Sequence, residues 1–186
     1  QMETPPRLEG FLHLWQVKGS TGGFLLPLDL TAMSHNVDLL HFAEAGVENY
    51  RDLLNSRAVQ QHLPLSDSHY SDEWIAGWIE RKAETWPNPA FGPWSVWVDG
   101  EFAGWAGVEP DGPNLSYGIV LLKKFWGFGS EVTQKAIGLI RESFPDADSM
   151  QIELPESRGS ERFAKRLGLL FVGTIEMSGH KFMKYE

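Results

Sequence analysis

The sequence predicts a single α/β (α+β) domain, in which helices flank a mixed sheet. Its length of 186 residues suits one domain, since domains commonly span roughly 100–200 residues. Apolar residues make up 42% and charged residues 22% of the chain, which is typical of a globular protein and excludes global disorder. Segments of helical periodicity alternate with short apolar runs bounded by turn residues. The predicted order is β, α, α, β, β, β, α, β, α, β, β.

The start of the chain is predicted to be an extension, residues 1–23, ahead of a domain that spans residues 24–186. The extension could hold an extra strand, Gly10–Val17, followed by a glycine-rich loop. Phe24–Leu30 is the first predicted strand of the domain. A helix is predicted over Ser34–Ala45, because apolar residues recur there at helical spacing.

Two further helices are predicted before the main sheet. Val47–Asn55 continues the helical pattern. Ser71 is followed by Asp-Glu-Trp, a typical helix start, and by paired apolar residues at helical spacing. This helix should end near Thr85, because Pro87 and Pro89 follow.

Strands dominate the second half of the chain. Asp99-Gly100 between two apolar runs predicts a hairpin, because Asp-Gly readily adopts the positive φ angles of a type I′ turn. Gly168 is expected to cap the last helix. The predicted elements are strands Trp94–Val98, Phe102–Val108 and Leu115–Leu122, helix Ser130–Phe144, strand Met150–Leu154, helix Ser157–Leu167, and strands Leu169–Met177 and Lys181–Tyr185.

Composition excludes several classes of protein. The chain has no cysteine, so it has no disulfide, thiolate nucleophile or iron–sulfur cluster. Its longest apolar runs, Gly118–Leu122 and Leu167–Val172, are far shorter than the about 20 residues that span a bilayer. No secretory signal is visible, so a cytoplasmic protein without membrane contact is expected. No metal site is expected, since no metal-ligand spacing with carboxylates is found at His35, His41, His62 or His69.

Charge is distributed unevenly along the chain. The net charge is −9, which argues against a nucleic-acid-binding surface. Through Leu122 there are 6 basic and 16 acidic residues, a net charge of −10, and from Lys123 onward 10 basic and 9 acidic, a net charge of +1. An anionic ligand would prefer the second part and a cationic partner the first. Uneven surface charge without functional meaning is the alternative.

The most informative stretch links a predicted strand to a predicted helix through the loop Lys124-Phe-Trp-Gly127-Phe-Gly129-Ser130. Glycines two positions apart let backbone N–H groups turn toward a ligand, and the helix start adds the positive end of its dipole. The loop therefore predicts a site for a pyrophosphate or similar anion, with a purely structural tight turn as the alternative. The spacing of a Walker loop and the third glycine of a dinucleotide fingerprint are absent.

The same loop resembles that of a known family. Lys124-x-x-Gly127-x-Gly129 resembles the Q/R-x-x-G-x-G/A loop of the GNAT acetyltransferases, with Lys in place of Gln or Arg. Trp126-Gly-Phe-Gly is similar to the W-G-x-G of the branch that acetylates ribosomal-protein N-termini at alanine or serine, with polyamine acetyltransferases nearby. Ser157-x-x-Ser160 through Lys165-Arg-Leu-Gly168 is similar to that branch's N-x-x-S…K-L-G segment. The resemblance covers about residues 24–186.

The resemblance implies a mostly antiparallel sheet with a splay between its fourth and fifth strands, where acetyl-CoA binds as co-substrate. An amine then attacks the thioester directly. Backbone groups near Val120 and Leu121 would pair with the pantetheine, and the amides from Phe125 to Ser130 would hold the pyrophosphate. The implied cofactor-binding residues are Val120, Leu121, Lys124, Phe125, Trp126, Gly127, Phe128, Gly129, Ser130, Ser157 and Ser160.

The resemblance leaves the catalytic acid and base open. Where the branch often has a Glu base on the fourth strand, this chain has Ser116, which could position a water. The Tyr that many relatives use as a general acid falls on Ala164. Ser160 is the nearest substitute as a hydroxyl donor, with an ordinary helix serine as the alternative. Further candidates, each with a structural alternative, are Glu109, Glu153 and Tyr117.

The acceptor is expected to be a primary amine that is cationic, such as a protein N-terminus or a polyamine, because the first part of the chain is acidic. Trp74 or Trp78 could hold it on an aromatic face. Two other functions stay open: a non-catalytic acyl-CoA-binding or sensing module, and a phosphate- or nucleotide-binding protein. The expected partners are acetyl-CoA, the amine and, through a homodimer, a second copy of the chain.

Overall fold

A seven-stranded sheet forms the centre of the computed structural model, which describes residues 35–63, 69–85, 92–111, 114–144, 149–177 and 179–186. The strand order across the sheet is β1-β2-β3-β4-β5-β7-β6. Strands β4 and β5 run parallel, and every other neighbouring pair is antiparallel. The strands are β1 (Val37–His41), β2 (Trp94–Val98), β3 (Glu101–Asp111), β4 (Asn114–Leu121), β5 (Ser149–Pro155), β6 (Phe171–Met177) and β7 (His180–Tyr185).

Helices cover both faces of the sheet. The helices are α1 (Gly46–Leu54), α2 (Arg57–Gln60), α3 (Asp72–Thr85), α4 (Gly129–Ser143) and α5 (Glu161–Leu167), joined by 3₁₀ turns at Phe42–Ala45, Lys123–Phe128 and Glu156–Arg158. Helices α4 and α5 pack on one face, and α1 and α3 pack on the other. None of the helices described is long and apolar enough to cross a membrane.

Strand β4 contributes to both hydrophobic cores, because successive side chains of a strand point to opposite faces. Tyr117, Ile119 and Leu121 are buried on the face of α4. Val120 is buried on the opposite face beside Trp105 of β3. The sheet is therefore apolar on both sides where β4 crosses its middle.

The core under α1 and α3 is an aromatic cluster. Phe42 stacks on Tyr50 at 4.6 Å between ring centroids and meets the edge of Trp78 at 5.0 Å. The Tyr50 hydroxyl donates a 2.7 Å hydrogen bond to the carbonyl of Phe42. Burial raises the pKa of Tyr50 well above its usual range, so it stays neutral.

Most predicted elements are confirmed within two or three residues. In the β2–β3 hairpin, Asp99 and Gly100 have φ angles of 50° and 79°, as a type I′ turn requires. Ser71 caps α3 by accepting a hydrogen bond from the backbone N–H of Trp74 at 3.3 Å. Gly168 ends α5 with a φ of 72°. The single domain and its mostly antiparallel sheet are also confirmed.

Two predicted helices are wrong in part. Ser34–Ala45 forms strand β1 and a 3₁₀ turn, because pairing with β2 places Val37 and Leu39 against the core at a spacing of two. Leu40, three residues after Val37 and thus on the same face in the predicted helix, is 39% exposed in the strand. The helix predicted from Ser157 starts at Glu161 instead, because Gly159 adopts a left-handed conformation.

Other expectations lie outside the described residues. These are the extension of residues 1–23 and the strands Gly10–Val17 and Phe24–Leu30.

Gly104 should be essential for stability. Its φ of 151° is unfavourable for other residues, and a Cβ atom there would overlap the carbonyl oxygen of Val120. We expect Gly104→Ala to lower the free energy of unfolding by at least about 2 kcal/mol, measured by urea denaturation. As a control, Gly138→Ala on α4 has open space around it and should be neutral or stabilising by up to about 1 kcal/mol. Equal midpoints for Gly104→Ala and the unaltered protein would contradict this.

Candidate functional site

The site is created where β4 and β5 part. Their parallel pairing runs from Asn114 opposite Ser149 to Tyr117 opposite Ile152 and then ends. Strand β4 continues to Leu121 beside β3, and β5 continues to Pro155 beside β7. Because each strand follows a different partner, the sheet opens into a V at this point.

Two cavities meet in this V. The splay cavity lies between the separated strands and comprises about 560 Å³ of free space, including space open to solvent. The second cavity, here called the groove, comprises about 1010 Å³ and runs between the start of α4 and the segment from Ser157 to Arg166. Five residues line both cavities and define what we call the throat: His62, Ile119, Trp126, Leu154 and Arg158.

The backbone N–H and C=O groups of successive residues in β4 point alternately toward β3 and toward β5. The N–H of Leu122 donates to the carbonyl of Ala103 on β3 at 2.8 Å, so the backbone groups of Val120, two residues earlier, also point to β3. The groups that point toward β5 are those of Ile119 and Leu121. The carbonyl of Leu121 accepts a 2.8 Å hydrogen bond from the indole N–H of Trp126. Both Val120 and Leu121 line the splay cavity.

The glycine loop forms one wall of the groove. Gly127, Gly129 and Ser130 line it, and a Cβ on Gly127 would meet nothing within 4 Å. A Cβ on Gly129 would instead lie 3.3 Å from the ring of Phe163 on α5. Gly129 therefore permits close packing of α4 against α5, while Gly127 leaves room in the groove.

Three predicted residues of this loop are not among those lining the groove. Lys124 pairs with Glu101 at 2.5 Å. Phe125 is buried in the core, and its N–H donates to the carbonyl of Leu122 at 2.8 Å. Phe128 packs edge-on against another ring, that of His35, at 4.9 Å.

Arginines form the opposite wall of the groove. Arg158, Arg162 and Arg166 all line it. Our reading of the sequence missed them, although their spacing of four residues was a usable signal for one surface near a helix. Ser157 and Ser160 line the same wall, as predicted for cofactor-binding residues. The groove therefore carries the positive charge that the net charge of the second part only suggested.

Ser160 and Tyr117 both have buried hydroxyl partners. The Ser160 hydroxyl lies 2.8 Å from the hydroxyl of Tyr185 on β7. The Tyr117 hydroxyl donates to Thr133 at 3.1 Å, and Thr133 in turn donates to the carbonyl of Gly129 at 2.8 Å. Burial raises the pKa of Tyr117 well above its usual range, so its hydroxyl stays protonated.

The other candidate catalytic residues occupy different places. Ser116 is buried, paired in the sheet with Glu109 and Gln151 rather than lining the splay cavity. Glu109 forms an ion pair with Lys82 of α3. Glu153 of β5 lines the splay cavity, and both of its carboxylate oxygens are buried. Among the described residues, Glu153 is thus the carboxylate that lines this cavity.

The tryptophans of the splay cavity are Trp105 and Trp126. Trp78 is buried in the aromatic cluster, and Trp74 packs on Tyr70 at 4.5 Å and on Trp78 at 6.2 Å. Neither Trp74 nor Trp78 lines the splay cavity. Spacing along the chain identified buried aromatic residues but not which of them face the opening.

His62 is a further residue at the throat. Its Nδ1 lies 2.8 Å from the hydroxyl of Ser157, and its ring packs edge-on against Trp126 at 5.3 Å. Burial lowers its pKa, and the positive charge of Arg158 lowers it further. The sequence had offered His62 only as a histidine without metal spacing. Among the described residues, no group of three His, Cys, Asp or Glu side chains could hold a metal ion.

A sheet of this order with a parallel β4–β5 splay is that of the GNAT acetyltransferases, and solved structures of that family share it. RimL, a ribosomal L7/L12 alpha-N-protein acetyltransferase in complex with coenzyme A, is 18% identical, with a TM-score of 0.63 over 80% of this chain and 92% of its own. A ribosomal-protein-alanine N-acetyltransferase from Brucella melitensis is 14% identical, with a TM-score of 0.62 over 81% and 97%. A GNAT-family acetyltransferase from Bacillus anthracis is 14% identical, with a TM-score of 0.58 over 83% and 93%.

No family model and no curated protein matches the chain in sequence. At such low identities the structural likeness shows the fold, and the predicted GNAT fold is confirmed.

The hydrogen bonds of Thr133 should tie α4 to β4. We expect Tyr117→Phe to cost about 1–2 kcal/mol in the free energy of unfolding, because the buried Thr133 hydroxyl loses its donor. Thr133→Val should then cost less in the Tyr117→Phe background than alone, as a double-mutant cycle by urea denaturation would measure. Strict additivity would contradict the coupling.

Proposed function

We propose that this protein transfers an acetyl group from acetyl-CoA to a primary amine by direct attack of the amine on the thioester. The observation that carries the proposal is the throat, where a groove lined by three arginines meets a second cavity lined by the buried carboxylate of Glu153. A reaction between two bound molecules needs two such cavities with a common boundary. RimL, which shares the fold, was solved in complex with coenzyme A, and this supports the choice of cofactor.

The residues of the groove fit coenzyme A. Arg158, Arg162 and Arg166 supply positive charge for phosphate groups, and the start of α4 at Gly129 and Ser130 adds the positive end of a helix dipole. The backbone groups of Ile119, a residue of the throat, face the gap between the strands, where the end of an extended pantetheine arm could pair with them. The thioester would then lie at the throat.

Residues around the throat serve the acyl transfer. When bound, acetyl-CoA supplies the activated acetyl group. Glu153 faces the splay cavity and would attract a cationic amine, while the ring of Trp105 lines the same cavity. The paired hydroxyls of Ser160 and Tyr185 line or adjoin the groove and would donate a proton to the departing thiolate.

The test of this function is release of free thiol from acetyl-CoA over a panel of amines: N-terminal peptides, polyamines and neutral amines. Turnover with any of them supports the proposal. Binding of coenzyme A without turnover on the whole panel would favour the alternative, a sensing module. Competition by ATP with equal affinity would favour a general phosphate-binding protein.

A side chain at Gly127 should block the groove. Gly127 lies outside the left-handed region and has open space around it, so Gly127→Val should fold normally. We expect its affinity for coenzyme A to fall at least about tenfold, equal to about 1.4 kcal/mol, in calorimetry. Gly138→Val is the matched control, because Gly138 lies on α4 and does not line the groove. This variant should bind coenzyme A as tightly as the unaltered protein does. Unchanged affinity of a folded Gly127→Val protein would contradict the assignment.

The acceptor should be a cationic amine. The Debye length falls from about 30 Å at 0.01 M to about 8 Å at 0.15 M ionic strength, so attraction by the acidic first part of the chain weakens over this range. We expect kcat/KM for a cationic amine to fall several-fold over the same range, chiefly through slower association. A neutral amine serves as the control and should show little change. A best acceptor that is neutral or anionic would contradict this.

A further inference from the structure

In the proposed reaction, the reacting atoms meet at the throat, and few of its side chains can exchange a proton there. Any acetyl group delivered through the groove meets an amine from the splay cavity only where both cavities share walls. Three of the five shared residues, Ile119, Trp126 and Leu154, have no titratable group, and the Arg158 guanidinium stays charged. Among these five, His62 is the side chain that exchanges a proton near neutral pH.

The imidazole of His62 is held in place from two sides. Its Nδ1 lies 2.8 Å from the Ser157 hydroxyl, and its ring packs edge-on against Trp126. In the neutral tautomer that carries its proton on Nδ1, this nitrogen donates to Ser157, and the lone pair of Nε2 is then available as an acceptor. The residue also lines a third cavity, here called the outer pocket, formed with His180, Lys181 and neighbours. His62 therefore lies on the boundary of the splay cavity, the groove and the outer pocket.

Burial first, and then the positive charge of Arg158, lower the pKa of His62 and favour its neutral form. Arg158, on the 3₁₀ turn after β5, faces it across the throat and lowers its pKa together with burial. An imidazole can accept a proton while it is neutral, which is the case at pH values above its pKa. For His62 this pKa lies below the usual 6.5. The other charged or titratable groups that line the same cavities are Tyr117 and Glu153 in the splay cavity, Arg162 and Arg166 in the groove, and Glu156, His180 and Lys181 in the outer pocket.

We propose that His62 is the general base of the transfer, with Ser157 as the positioning residue that holds its ring. The inference rests on the proposed acetyl transfer and adds the residue that starts it. Glu153 then acts as the counter-charge for the ammonium rather than as the proton acceptor.

The proton balance of the step is as follows. His62 Nε2 takes one proton from the ammonium, and the freed nitrogen lone pair forms a C–N bond to the thioester carbonyl carbon. The C–S bond breaks, and its electron pair leaves with the sulfur. The nitrogen loses its second proton as the amide forms, and the thiolate gains one proton to become the free thiol, so the two changes balance. The proton on His62 passes to solvent.

The experiment compares His62→Gln and His62→Ala with the unaltered protein, using acetyl-CoA and the best amine of the panel. We expect kcat to fall by about a hundredfold or more, the typical contribution of a general base, while calorimetry shows coenzyme A affinity close to the original. The activity of the unaltered protein should fall as pH drops through the pKa of His62, and this limb should vanish in His62→Gln. Added imidazole should restore part of the rate of His62→Ala, which a merely structural role would not allow.

His180→Gln is the matched control, because His180 lines the outer pocket but not the throat. It should keep both the rate and the pH profile. Full activity of His62→Gln would overturn the proposal while leaving acetyl transfer intact. The same conclusion would follow if the acidic limb of the pH profile disappeared in Glu153→Gln but remained in His62→Gln. If His62→Ala does not fold, His62→Gln decides alone. Absence of turnover by the unaltered protein on every amine would instead overturn the proposed function itself.

Discussion

The parting of β4 and β5 is the constraint on which the rest of the structure depends. Two parallel strands that pair for four residues and then separate leave backbone groups without a sheet neighbour in the middle of a protein. Such groups need other partners, since unpaired buried backbone groups cost free energy. Part of this need is met by Trp126, whose indole N–H satisfies the carbonyl of Leu121. The remaining opening is what a ligand with an extended amide chain can fill.

Packing on both faces of the sheet holds the strands apart. On one face, the Tyr117 hydroxyl is bonded through Thr133 to the first turn of α4, so hydrogen bonds connect β4 to the helix that begins at the groove. On the other face, the aromatic cluster under α1 and α3 fixes β3, and Gly104 lets β3 approach β4 without a side chain between them. Packing on both faces thus positions the two strands that line the opening.

The groove, the splay cavity and the throat between them are lined by side chains of different charge. The groove has an arginine wall for an anion, and the splay cavity has a buried carboxylate for a cation. Between them, His62 stays neutral because it is partly buried beside a guanidinium. In the proposed reaction, the arginines would attract the anionic cofactor and Glu153 the cationic amine, and the neutral imidazole between them would accept the proton.

Local patterns in the sequence determined most of the elements, the β2–β3 hairpin, the glycine loop and, through resemblance, the fold. These signals are local in the chain. The turn at Asp99-Gly100 follows from the φ angles that these two residues adopt readily, and helix α4 follows from the spacing of its apolar residues. Tertiary structure alone decided that Val37–His41 is a strand, since its partner β2 lies over fifty residues away. It also decided that Trp105 rather than Trp78 faces the cavity, and that His62 meets Ser157, 95 residues distant in sequence. A contact between distant segments follows from how helices and strands pack together, and no local periodicity records it.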